Sequence, residues 1–179
     1  MYGIVRQHGG FLNVYSELGK GSTFRSYFPV SMDVSAPREK AEDRGPICGG
    51  SETILVAEDH EGLGQLALET LTGLGYQVML ATDGEQAVAD FRANRDQISL
   101  ALLDVMLPKL SGPEICAVIQ KEKPELAVIF ATGYSPDMAQ LQKARQEGLP
   151  VLQKPYSPHD LARKVRETLD QQVLATPQK

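Results

Sequence analysis

Cysteine is scarce in this chain and poorly placed for chemistry. Of its 179 residues, Cys48 and Cys116 alone carry a thiol, and they lie far outside the close spacing of a metal site. Cys116 falls on the apolar face of a helical pattern, which suits a small core residue rather than a ligand or nucleophile. No disulfide framework is implied, so a reducing cytoplasm is the default compartment. No apolar run approaches the ~18 residues a membrane-spanning helix needs. The amino terminus lacks the charged-then-apolar order of a signal peptide. The chain is therefore expected to be soluble, with no membrane segment. Basic charge is also short. Residues 1–50 hold six Lys/Arg against five Asp/Glu, leaving twelve against eighteen for residues 51–179. Nucleic-acid binding needs a basic face, so no nucleic-acid partner is expected. An acidic second part suits a protein that collects cations or docks on a basic partner.

What is present reads as a globular chain with 42% hydrophobic and 23% charged residues. Residues 31–51 (SMDVSAPREKAEDRGPICGGS) mix charge, proline and glycine with almost no apolar period, as a linker does. Before them, FLNVYS (11–16) and TFRSYF (23–28) are strand-like runs around the glycine-bearing turn ELGKGS, a hairpin signal. Two strands alone are marginal in water, so this piece should not fold independently. After the linker, five apolar runs alternate with helical patterns: TILVA (53–57), QVMLA (77–81), ISLALL (98–103), LAVIFA (126–131) and LPVL (149–152). Most are continuous rather than alternating, which predicts parallel strands covered on both faces. Leu63, Leu66, Ala67, Thr70, Leu71 and Leu74 form one stripe of a first helix, stopped at Gly75. Ile115, Val118 and Ile119 mark a later helix ended by Lys123–Pro124, and Leu161, Val165 and Leu169 mark the last. This repeat implies an α/β, open, doubly wound parallel sheet of about 120 residues.

Ligands of such sheets bind beyond the carboxyl ends of the strands. Strand one exits at Glu58–Asp59, strand three at Asp104, strand four at Thr132 and strand five at Lys154–Pro155. Taken singly, Asp59 suits a helix cap, Asp104 a loop acid, Thr132 a turn and Lys154 a solvated charge. Together they place three carboxylates, a hydroxyl and an ammonium on one edge. Clustered carboxylates repel one another and favour a hard divalent cation such as Mg²⁺. That cation reduces the repulsion between an attacking carboxylate and an anionic phosphoryl donor. Asp104, between the acid pair and the Thr/Lys side, is the natural nucleophile. Thr132 can hydrogen-bond a phosphoryl oxygen. Lys154, two strands or roughly 10 Å away, has the reach to supply a compact positive charge. Its bond to Pro155 is expected to be cis, turning the lysine into the site.

The motifs ILVAEDH, LLDVMLPKLSG, IFATGY and LQKPY at these spacings resemble the receiver (response-regulator) domain of two-component signalling, over 52–172. The resemblance implies a flavodoxin-like (βα)5 fold with strand order 2-1-3-4-5. It further implies Mg²⁺-dependent transfer of a phosphoryl group from a phosphohistidine to Asp104. In it Glu58 and Asp59 match the acidic pair, Thr132 the hydroxyl, Lys154 the lysine, and the Met106 carbonyl the backbone metal ligand. Two departures stand out: Val151 occupies the usual aromatic position, and Glu58 replaces the commoner aspartate. Any signal is then expected to leave by another route, through the fourth helix and fifth strand. Met106 and Tyr134 are bulky and are expected to shield the acyl phosphate from water.

Residues 1–30, containing YGIVRQHGGFLNVYSELGKGSTFRSYFPV, resemble the last stretch of a histidine-kinase ATPase domain of the GHKL type. The ATP-holding Asn and Asp/Gly motifs and the phosphoacceptor histidine segment are absent, so this chain is not expected to bind ATP or autophosphorylate. The whole resembles the carboxyl end of a hybrid sensor histidine kinase: an ATPase fragment (1–30), a linker (31–51), a receiver (52–172) and a tail (173–179). The implied partner is a histidine kinase or His phosphotransfer domain docking near 61–68, where Glu61 and Gln65 face outward; a homodimer is compatible with this. Two other readings compete. One is a non-phosphorylated interaction module on the same fold, disfavoured because Asp104 and Lys154 are both kept. The other is a flavin-type cofactor binder, disfavoured because Glu58–Asp59 stand where a phosphate loop would be.

Overall fold

The computed structural model describes residues 2–30, 48–133 and 148–175. The chain divides into two compact units, Met1–Arg44 and Gly45–Lys179. Most of the expected linker, residue Tyr134 and the end of the tail lie outside the described residues.

In the first unit a short helix α1 (Tyr2–Gln7) precedes strands β1 (Phe11–Glu17) and β2 (Gly21–Tyr27). The sequence showed the hairpin but not the helix. The strands pair antiparallel from Phe11↔Tyr27 to Glu17↔Gly21, and the Phe11 and Tyr27 rings stack at 4.5 Å. The turn needs its glycines, since Gly19 and Gly21 sit at φ +78° and +95°. Val5 is buried, but Phe11, Val14, Tyr15, Phe24 and Tyr27 all remain exposed.

The second unit is the expected sheet. Strands β3 (Thr53–Ala57), β4 (Gln77–Ala81), β5 (Ile98–Asp104), β6 (Ala127–Thr132) and β7 (Val151–Gln153) lie in the order β4-β3-β5-β6-β7. Numbered within the unit this is 2-1-3-4-5, and every pairing is parallel. The continuous apolar runs resolve into two alternating sets. Ile54, Val56, Leu100, Leu102, Ile129 and Ala131 face one core, which α2 (Glu61–Gly73) and α5 (Pro158–Ala175) close with Ala67, Leu71, Leu161, Val165 and Leu169. Leu55, Ala57, Ala101, Leu103, Val128 and Phe130 face the other, closed by α3 (Gly84–Ala93) and α4 (Gly112–Glu122) through Phe91, Ile115 and Ile119. Each fully buried aliphatic residue adds roughly 1.5–3 kcal/mol. Cys116 is buried in this second core, as its apolar face required.

β7 begins two residues later than its apolar run suggests. Pro150 has no N–H for a ladder, and its carbonyl accepts from Phe130 instead. The segment expected to hold the fourth helix, 134–147, lies outside the described residues.

Candidate functional site

The parallel sheet delivers its strand exits to one edge. β3 ends in Ala57, and Glu58 and Asp59 follow it; β5 ends in Asp104, β6 in Thr132, and Lys154 follows β7. α2 is capped by His60, whose ring accepts from the Leu63 N–H at 3.3 Å. Asp59, a natural candidate for that cap, is thereby left on the site. One oxygen from each of Glu58, Asp59 and Asp104 lies within 4.8 Å of the others. Glu58 and Asp104 are buried while Asp59 is exposed, so the pocket opens to water on the Asp59 side.

Lys154 crosses β6 and β5 to this cluster. Its ammonium donates to Asp104 Oδ2 at 2.8 Å and to Glu58 Oε2. The Lys154 N–H donates to the Thr132 carbonyl at 2.6 Å, and the Lys154–Pro155 bond is cis, as expected. The other Asp104 oxygen accepts the Met106 N–H at 3.1 Å. Thr132 is buried at the exit of β6, where its hydroxyl donates to the Gly133 carbonyl at 3.1 Å. The structure thus gathers Glu58, Asp59, Asp104 and Lys154 directly and sets Thr132 beside them. Val151 is half-buried on β7 and packs against the α3/α4 core.

Burial and charge oppose each other here. Burial pushes the Glu58 carboxyl up, and the hydrogen bond from Lys154 only partly offsets this. For Lys154 burial works downward, but the hydrogen bonds to Asp104 and Glu58 outweigh it and hold the ammonium above its usual range. The lysine stays charged at neutral pH. A feature the sequence reading missed is Tyr156, half-buried two residues past the lysine. Burial pushes its phenol up, and the Glu58 carboxylate adds to this. The QKPY motif contained the signal, but nothing local in it tells an inward tyrosine from a surface one.

The donor set fits a hard divalent cation: three carboxylates close together, two buried, with one ammonium to balance them.

A doubly wound α/β module with a buried aspartate at the exit of its central strand, beside an acidic pocket and a reaching lysine, is the class this fold and site define. The chain belongs to the response regulator receiver domain family, whose model matches residues 54–166. It is 30% identical over 179 residues to the sensor kinase CckA of Brucella abortus, covering 96% of this chain and 19% of that protein. It is 30% identical over 127 residues to the alkaline phosphatase synthesis transcriptional regulatory protein PhoP of Bacillus subtilis, covering 71% of this chain and 52% of that one. The chain therefore spans about a fifth of the first relative and about half of the second. Among solved structures, a response regulator receiver domain protein from Clostridium thermocellum superposes with a TM-score of 0.65 at 29% identity. That match covers 70% of this chain and 99% of the other. No helix among the described residues is long and apolar enough to cross a membrane.

Proposed function

We propose that Asp104 is a phosphoacceptor, receiving a phosphoryl group from a phosphohistidine in a two-component phosphorelay with Mg²⁺ held at Glu58, Asp59, Asp104 and the Met106 carbonyl. The observation that carries this is the buried Asp104 carboxylate, set between a lysine ammonium and two further acids. A carboxylate oxygen of Asp104 attacks phosphorus and forms the acyl phosphate. The phosphorus–nitrogen bond breaks, and its electron pair leaves with the imidazole. Mg²⁺, when bound, supplies positive charge that offsets the repulsion between carboxylates and phosphoryl oxygens. Lys154 stays protonated and adds its own charge on the same side. Thr132 offers a hydroxyl to a phosphoryl oxygen. The exposed Glu61 and Gln65 of α2 stand beside the site as a docking surface for the donor histidine kinase or phosphotransfer domain.

We further propose that the chain is the receiver end of a hybrid sensor histidine kinase. Two observations support this. The alignment with the sensor kinase covers 96% of the chain, which takes in the amino-terminal unit, whereas the receiver model starts at residue 54. That unit is also one short helix on a two-stranded sheet with large apolar side chains exposed, which reads as a piece of a larger sheet.

The test is acetyl phosphate with Mg²⁺ on wild type and Asp104→Asn, read by intact mass. A single phosphoryl adduct on wild type, lost in the variant and lost with chelator, is expected. An adduct on both proteins, or on neither, would overturn the assignment.

A further inference from the structure

Lys109 is the one described residue other than glycine with a left-handed backbone, at φ +68°. That conformation is unfavourable for any side chain with a Cβ. Its ammonium also lies at the amino terminus of α3, where the helix dipole repels a cation. Acids hold the ammonium there: Asp83 Oδ2 at 2.8 Å and Glu85 Oε2 at 3.3 Å. Asp83 uses its other oxygen to cap α3 through the Gln86 N–H at 2.9 Å. The backbone follows the same line, with the Gly84 N–H donating to the Pro108 carbonyl at 3.1 Å. The contact is so close that a Cβ on Gly84 would sit 2.1 Å from the Leu110 carbonyl oxygen. At its far end the loop is pressed on Asp104, because a Cβ on Gly112 would meet the Asp104 carbonyl at 2.3 Å. Residues 105–111 are therefore gripped at their base and at Pro108–Leu110, with Met106 between the two grips.

We propose that Lys109 is a positioning residue: its ion pair with Asp83 latches the 105–111 loop to α3 and so places the Met106 carbonyl for the divalent cation. This rests on the phosphoacceptor reading above. The latch touches neither the cation nor the phosphoryl group, so its effect is confined to how well the backbone oxygen is presented.

Two substitutions separate the latch from strain and capping. Asp83→Asn keeps a good helix cap and removes the charge. Lys109→Gly removes the ammonium but suits the positive φ. Adduct formation from acetyl phosphate is followed against Mg²⁺ concentration in the full chain, beside urea unfolding. Each variant is expected to raise the half-maximal Mg²⁺ concentration by about tenfold, the low end for outer-sphere partners of a metal. The double variant should shift it no further than either single one, and Lys109→Arg should rescue it. Labelling at saturating Mg²⁺ should match wild type. An unchanged Mg²⁺ midpoint in both single variants, with wild type labelled, overturns the latch and leaves the phosphoacceptor reading standing. A loss that saturating Mg²⁺ does not restore, together with a lowered urea midpoint, makes Lys109 merely structural and also overturns it. Failure of wild type to label, or labelling of Asp104→Asn, strikes the phosphoacceptor reading instead.

Discussion

Three carboxylates face one ammonium at the edge of the sheet, and Lys154 retains 14% side-chain exposure there. Removing that ammonium leaves Glu58 and Asp104 buried beside each other with no positive partner. A fully buried pair broken in this way costs roughly 3–5 kcal/mol, and the partial exposure of Lys154 screens some of that. Lys154→Met is therefore expected to destabilise the metal-free protein by about 1–3 kcal/mol in urea unfolding. Mg²⁺ should recover most of the loss, because its charge falls on the same carboxylates. If added Mg²⁺ leaves the variant as weak as before, the pocket does not hold the cation. Met106 bears on what happens after phosphorylation. The residue is 59% exposed, while its N–H is fixed on Asp104. We propose that an apolar chain at that position would keep water off an acyl phosphate on Asp104, so Met106→Asn is expected to shorten the phosphoryl lifetime severalfold, measured by adduct decay after acetyl phosphate is removed with Mg²⁺ kept. An unchanged decay would remove Met106 from this role.

α4 begins where the site ends, and its first turn is tightly specified. Gly112 has no room for a methyl group against the Asp104 carbonyl. Overpacking of this kind costs typically about 1–3 kcal/mol, and here the displaced atom belongs to the Asp104 backbone. Gly112→Ala is expected to lower the urea midpoint accordingly and to slow labelling of Asp104. One residue earlier, the Ser111 hydroxyl and N–H both donate to Glu114, which holds its carboxyl below the usual range. A carboxyl depressed in the fold stabilises when ionised, so its contribution is complete above the ordinary value of 4.5 and is lost as pH falls through the lower folded value. Wild type should therefore exceed Glu114→Gln in urea midpoint at about pH 7, with the difference closing as the pH falls below 4.5. At this scale the sequence was most readable where one element decides alone. Apolar runs without alternation marked the strands because both faces of the sheet are covered, and Gly75 marked the stop of α2. Hidden were features made by two elements together. The close approaches at Gly84 and Gly112 are of this kind, as are the inward Tyr156 and the pairing of Asp83 with Lys109. The site residues themselves were legible because each stands directly at a strand exit.

At the scale of the molecule, both cores of the second unit draw every buried member from residues 54–169, yet its closing contacts begin earlier. Arg166 of α5 donates to Glu52 at 3.0 Å and to the Tyr76 hydroxyl at 3.3 Å, and pairs with Asp170 at 2.8 Å. Burial would lower this guanidinium, but Asp170 and Glu52 outweigh it and hold it raised. The Glu52 carbonyl accepts the Gln77 N–H, extending the β3–β4 ladder by one bond, and the Gly50 N–H donates to the Leu74 carbonyl at the end of α2. Gly49 beside it has no room for a side chain, as a Cβ there would lie 1.9 Å from the Leu74 carbonyl oxygen. Among the described residues, the contacts of the unit thus reach back to the glycine pair 49–50, ahead of the residue where the family match begins. A chain of residues 48–179 is expected to unfold at the urea midpoint of the full protein and to label at the same rate. A chain of residues 54–179 leaves Arg166 without Glu52 and β4 without its first ladder bond, and should lose about 1–3 kcal/mol, the cost of stranding a partly buried partner. Equal midpoints for the two shorter chains would place the boundary at the first strand and reduce the Arg166 cluster to a surface ornament of the sheet.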